Sequence, residues 1–168
     1  ARQRKQIFVP KARLALMRRI LGVLVGLLLG LMPARGSDYK SQIYHAYIND
    51  SMELWKISMD AMQPTALNSA ALRLELVNYQ YGYIAWCTGT GRDGEARKYL
   101  DSASEHLDYL TQRAYKPSYV QAYRAAFVGF EIGLNMLKAP FIGMESVAFA
   151  QEAMQQDSSN PLGYIQYA

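Results

Sequence analysis

From residue 39 onward apolar side chains recur every three or four residues, the spacing of one helix face, in separate runs divided by polar or Gly/Pro breaks. Ile43, Tyr44, Tyr47 and Ile48 mark a first helix over 39–48, interrupted by Asn49, Asp50 and Ser51. Asp50 and Glu53 have capping-box spacing, with an acid in the Ser/Thr role. The helix they introduce sets Met52, Trp55, Met59 and Met62 on one face, and Pro64 and Thr65 are expected to end it. A long third helix is predicted over about 66–88, with Leu72, Leu76, Tyr79, Tyr83 and Trp86 as its stripe.

The glycines at 89, 91 and 94 punctuate a turn, and Asp93 is the expected N-cap of a fourth helix. Its inner face carries Ala96, Tyr99, Leu100, Ala103, Leu107 and Leu110, and its outer face Asp101, Glu105 and Asp108. Pro117 restarts the chain, with Ser118 and Gln121 as a second capping box. Tyr119, Tyr123, Phe127 and Phe130 form the next stripe, which ends near Met136. Residues 138–143 (KAPFIG) are expected to be a turn before a helix over 144–156. Asn160 then caps a last helix with Pro161 in its first position. The sequence shows no strand alternation, so the predicted fold is all-α, built of antiparallel helix hairpins in series.

Residues 17–36 have another pattern. Met17 is the first residue able to initiate, Arg18 and Arg19 follow it, and 20–31 is an apolar run relieved only by Gly. Ala34 and Gly36 supply small residues three and one before a cut, so the segment is expected to be an export signal cleaved after Gly36. A bilayer core needs about 20 apolar residues; this run is shorter, and Pro33 and Arg35 block its extension. An uncleaved signal-anchor is the alternative, and a buried helix a third reading. Residues 1–16 (ARQRKQIFVPKARLAL) suit neither a signal nor a domain, and are expected to be an upstream extension from a fragmentary gene model or a basic disordered arm. The working domain is then 37–168, in the periplasm or outside the cell, or at the inner membrane if the leader is retained.

That division changes the meaning of the charge. The chain has 18 Lys and Arg against 14 Asp and Glu, a net of +4. Eight of those cations, Arg2, Arg4, Lys5, Lys11, Arg13, Arg18, Arg19 and Arg35, lie before residue 37, where there is no acid. From Ser37 on, 10 bases face 14 acids, a net of −4. Nucleic-acid binding depends on Lys and Arg neutralising phosphates, and no basic run remains to do it. The single cysteine, Cys87, lies in an apolar helix and is expected to be buried.

The helix pairs resemble tetratricopeptide repeats, which are antiparallel helix pairs of about 34 residues. Ala153, Met154 and Asp157 stand where that repeat has Ala, Leu and Asp, with Ser158 replacing Pro. Tyr164, Tyr167 and Ala168 stand at the aromatic, apolar and small positions of a following repeat. Ala96, Leu100 and Ala103 have second-helix spacing, and Gly82 is the small site of the helix before them. The likeness covers 66–168 and extends to secreted, largely uncharacterised repeat proteins of Gram-negative bacteria. It implies a solenoid, here expected to be truncated at its C-terminal end, whose concave groove binds a protein or peptide. A plain helical bundle is the alternative.

Catalytic patterns are weak. His45 and His106 lack metal-ligand spacing, and His106, between Glu105 and Asp108, is expected on a solvated face. The glycine-rich turn lacks the Gly-Lys-Ser/Thr ending of a phosphate loop and follows a helix. Asn49-Asp50-Ser51 matches a glycosylation acceptor, a motif common by chance. No enzyme activity, metal or cofactor is expected. Tyrosine is the functional signal: all 13 follow residue 36, and Tyr suits a groove because it offers area with a polar tip. Tyr79, Tyr83, Tyr119, Tyr123 and Arg124, on first helices of pairs, are the expected groove residues, with packing between helices the competing role for each ring. Ala125, Gly129 and Gly133 are expected to allow close helix packing.

Overall fold

The breaks in the apolar pattern become the turns of the structure. A computed structural model describes residues 38–168, so the expected leader, with Ala34 and Gly36, and the segment 1–16 lie outside the described residues. Seven helices follow in order: α1 (Tyr39–Ile48), α2 (Met52–Ala66), α3 (Ala70–Gly89), α4 (Asp93–Gln112), α5 (Pro117–Leu134), α6 (Ala139–Gln156) and α7 (Pro161–Tyr167), with a 3₁₀ turn at Met136–Lys138. No β-strand occurs among them, and no single described helix is long and apolar enough to cross a membrane.

Each helix packs on its successor, while α3 also meets α5 and α5 meets α7. The chain is therefore a consecutive stack of helix hairpins, α1–α2, α3–α4 and α5–α6, with α7 laid on the last. The pairs begin at Tyr39, Ala70, Pro117 and Pro161. From Ala70 to Pro117 and on to Pro161 the step exceeds the roughly 34 residues of a tetratricopeptide repeat.

Several element ends differ from those expected. Pro64 does not stop α2, which runs through it to Ala66. The true boundary is Ser69, whose hydroxyl accepts the Leu72 amide at 3.3 Å and so satisfies one unpaired donor of α3. Asp50 adopts a positive φ of 50° in the turn, and Ser51 takes the N-cap place. Arg92 rather than Asp93 is the N-cap of α4, and Asp93 and Glu95 occupy its first turn, where acids favour the helix dipole. Residues 139–143 belong to α6, because Pro140 sits in the first turn where its missing N–H costs nothing. Asn160 does cap α7, accepting the Leu162 amide at 3.1 Å, with Pro161 next to it. Its other side-chain atom donates to Ser118 Oγ at 2.8 Å, and Ser118 donates to the Ala153 carbonyl at 2.9 Å. Ser118 thus ties α5, α6 and α7 together instead of forming a capping box.

The core follows α3. Leu76, Tyr79 and Tyr83 from the expected stripe are buried, and so are Val77, Gln80, Ile84 and Cys87. A helix enclosed on two sides has a second apolar face, which a one-face pattern does not show. The α3–α4 contact is centred on Tyr83 and Tyr99, whose rings meet edge-to-face with centroids 5.0 Å apart.

Candidate binding groove

The five expected groove residues do not share one surface. Tyr83 is 1% exposed. Its ring faces Tyr99, and its hydroxyl bonds the Glu95 carboxylate that Lys56 also holds at 3.0 Å. Burial, with the hydrogen bond to Glu95, pushes the Tyr83 phenol well above its ordinary range. Burial pushes Glu95 upward too, but the hydrogen bonds from Lys56 and Tyr83 outweigh it and leave the carboxyl below its usual value. Tyr83 is a core residue. Tyr123 is also buried, packed edge-on against Tyr81 with centroids 5.9 Å apart and donating to Asn78 Oδ1 at 2.7 Å. Arg124 points toward α4, where it donates to Asp108 at 2.7 Å and Thr111 at 3.0 Å. Tyr119 lines a separate small hollow with Lys116, Pro117 and Asp157.

Of the five, only Tyr79 lines a larger cleft, of about 710 Å³, among the described residues. It runs between α1, which supplies Lys40, Ile43, Tyr44 and Tyr47, and α3, which supplies Glu75, Asn78, Tyr79, Tyr81 and Gly82. Trp55 of α2 also lines it. With 10 residues, α1 runs beside only part of the 20-residue α3. Tyr44 and Tyr47 are 61% and 69% exposed.

The walls are held from behind. Trp55 Nε1 donates to the Tyr79 carbonyl at 3.2 Å, and its ring meets Tyr47 edge-on at 6.3 Å. Gly82 is needed there, since a Cβ at that position would lie 3.0 Å from the indole. Tyr79 in turn donates its phenol to Glu75 at 2.6 Å. Lys40, Glu75 and Asn78 thus set polar groups among these rings, of which Trp55 and Tyr79 are held by hydrogen bonds. Apolar walls with a few placed polar groups are the composition of a recognition site. Sequence reasoning missed Tyr44, Tyr47, Trp55 and Tyr81 because periodicity locates a helix face but not which neighbour is too short to cover it.

Other expected features also resolve. His106 is buried, not solvated. Arg73 Nη1 lies 3.0 Å from His106 Nδ1, and His106 Nε2 lies 3.3 Å from Gln63 Oε1. A guanidinium only donates, so Nδ1 accepts and Nε2 carries the proton toward Gln63. Burial, with the Arg73 charge beside it, lowers the imidazole pKa to about 4. Asp101, Glu105 and Asp108 are exposed, as expected. Arg97 reaches the Leu134 carbonyl at 2.7 Å, linking α4 to the end of α5. Gly129 has no described heavy atom within 4 Å of an added Cβ, and Gly133 meets only Thr88 at 3.7 Å. Besides Gly82, close approach occurs at Gly163, where a Cβ would lie 3.0 Å from the Met154 side chain. No protein-family model, curated protein or solved structure matches the chain.

Proposed function

We propose that this protein is an exported, non-enzymatic helical-repeat scaffold that binds a protein or peptide partner in the α1–α3 groove. The observation that carries the reading is the aromatic cleft itself, with Tyr44, Tyr47, Trp55, Tyr79 and Tyr81 around Lys40, Glu75 and Asn78. Rigid tyrosine and tryptophan rings give contact area at low entropic cost, and they are enriched where proteins bind one another. Stacked helix pairs of this kind form extended concave binding surfaces. Export rests on the signal pattern of residues 17–36. The tetratricopeptide likeness supports the same reading through its paired helices, with longer pairs than that repeat has.

Peptides selected by phage display on the intact chain test the assignment. Their affinity is expected to fall at least tenfold on combined Tyr44→Ala and Tyr47→Ala substitution, while Tyr119→Ala leaves it unchanged. Equal binding by the double variant, with its circular dichroism intact, removes the groove from the function.

A further inference from the structure

Away from the groove, large exposed apolar side chains gather at the turn after α5 and along the start of α6. Leu137, Phe141 and Met144 are 81%, 82% and 78% exposed, and Met136 lies beside them. Phe141, Met144, Ala148 and Gln151 follow at alternating steps of three and four residues, the seam spacing of two helices packed side by side. The opposite face of α6 is already engaged. There Ser146 donates to the Ala125 carbonyl at 2.9 Å, and Ala150 and Ala153 are buried. Contiguous exposed apolar side chains of this kind often mark an interaction surface.

We infer that this stripe is the contact of a two-fold dimer, in which α6 of a second copy lies antiparallel against it. Shape is the first reason. With the axis passing near Met144 and Glu145, the large Phe141 ring falls opposite the small Ala148 of the second copy. An isologous contact repeats that pairing on the other side of the axis. Charge is the second reason, and it sets the direction. Lys138, Glu145 and Glu152 follow one flank of the stripe, about two turns apart. Like flanks meet in an antiparallel pair, so Lys138 falls opposite Glu152 of the second copy, again twice. In a parallel pair unlike flanks meet, so Lys138 and Glu152 would not face each other. Lys138 already holds Glu131 at 2.7 Å within its own chain, and an ammonium has three donors, so it can serve both acids. The acids of this flank also disfavour an anionic lipid surface as the occupant. Glu145 comes to lie near its own copy at the axis, an exposed like-charge pair that weakens the contact.

The 168-residue chain is tested by light scattering on a sizing column and by cross-linking. The wild type is expected at dimer mass, Phe141→Asp at monomer mass with unchanged circular dichroism, and Glu145→Gln with severalfold tighter association. Met144→Cys is expected to give a disulfide-linked dimer under mild oxidation. Gln155→Cys is not, because antiparallel pairing sets the two copies of that residue about 30 Å apart along the axis. A monomer at all concentrations, a dimer that survives Phe141→Asp, or equal cross-linking at 144 and 155 would overturn the inference. So would a monomer that sediments with phosphatidylglycerol vesicles through Phe141.

Discussion

The two sides of α3 use the same residue type to opposite ends. Toward α5 the rings of Tyr81, Tyr123, Phe127 and Phe130 form a continuous chain with centroids 5.5–6.3 Å apart. Tyr123 and Phe127 are buried in this seam, and Tyr123 ends on Asn78. Toward α1 the rings of Tyr44 and Tyr47 are mostly exposed, beside a cleft that the buried Tyr79 also lines. What separates the two sides is the neighbour, not the tyrosines. An 18-residue α5 covers its side of α3, and a 10-residue α1 does not. Whether a tyrosine of this helix face is covered or left open therefore goes with the helix beside it.

The sharpest test removes one ring from the closed side. Tyr123→Ala should cost about 3–5 kcal/mol, the range for deleting a buried aromatic, measured by urea unfolding. A loss below about 1 kcal/mol would mean that the seam is not packed as described and would dissolve the contrast.

Next in size is a pH effect from the buried polar contact between α2, α3 and α4. The folded His106 pKa of about 4 lies below the ordinary 6.5, so the unfolded chain binds the proton more readily. Its contribution is complete above pH 6.5 and is lost as pH falls toward 4, on the order of 2–3 kcal/mol. Unfolding curves between those pH values should show this slope, and His106→Asn should flatten it. An unchanged slope in the variant would assign the acid sensitivity to other groups.

Tyr123→Phe keeps the ring and removes only the bond to Asn78, for an expected cost of about 1 kcal/mol. Smallest of all, Tyr47→Ala should change stability by no more than about 0.5 kcal/mol, as exposed positions do, although it lies in the proposed binding surface. If Tyr47→Ala were as costly as Tyr123→Ala, the open side would be part of the core and the comparison would fail.

The helix count, the all-α class and the cap at Asn160 were legible, because period and capping chemistry are local properties of the chain. Errors arose where a distant residue decided the outcome. Ser118 had capping-box spacing with Gln121, but it donates to Ala153 of the following helix, 35 residues on. His106 stood between two acids in sequence, but α2 and α3 bring Gln63 and Arg73 over it. Pro64 reads as a stop, and α2 passes through it. Tyr83 and Tyr123 lay on the right helices for a groove, but Tyr83 faces α4 and Tyr123 faces α3. Which face a solenoid helix leaves open depends on the lengths of both neighbours, and no periodicity within the helix itself encodes that.

The sequential packing of the helices has a consequence for how the molecule comes into being. Each hairpin rests mainly on the one before it, so no late segment must thread back to complete an early one. Contacts that are local in sequence form quickly because little loop entropy opposes them. A chain that emerges with its N-terminus first can lay down α1–α2, then α3–α4, then α5–α6, each hairpin closing on a surface already in place. Ser118 and Asn160 join only when α7 arrives, so that bond is a marker of the final stage of assembly.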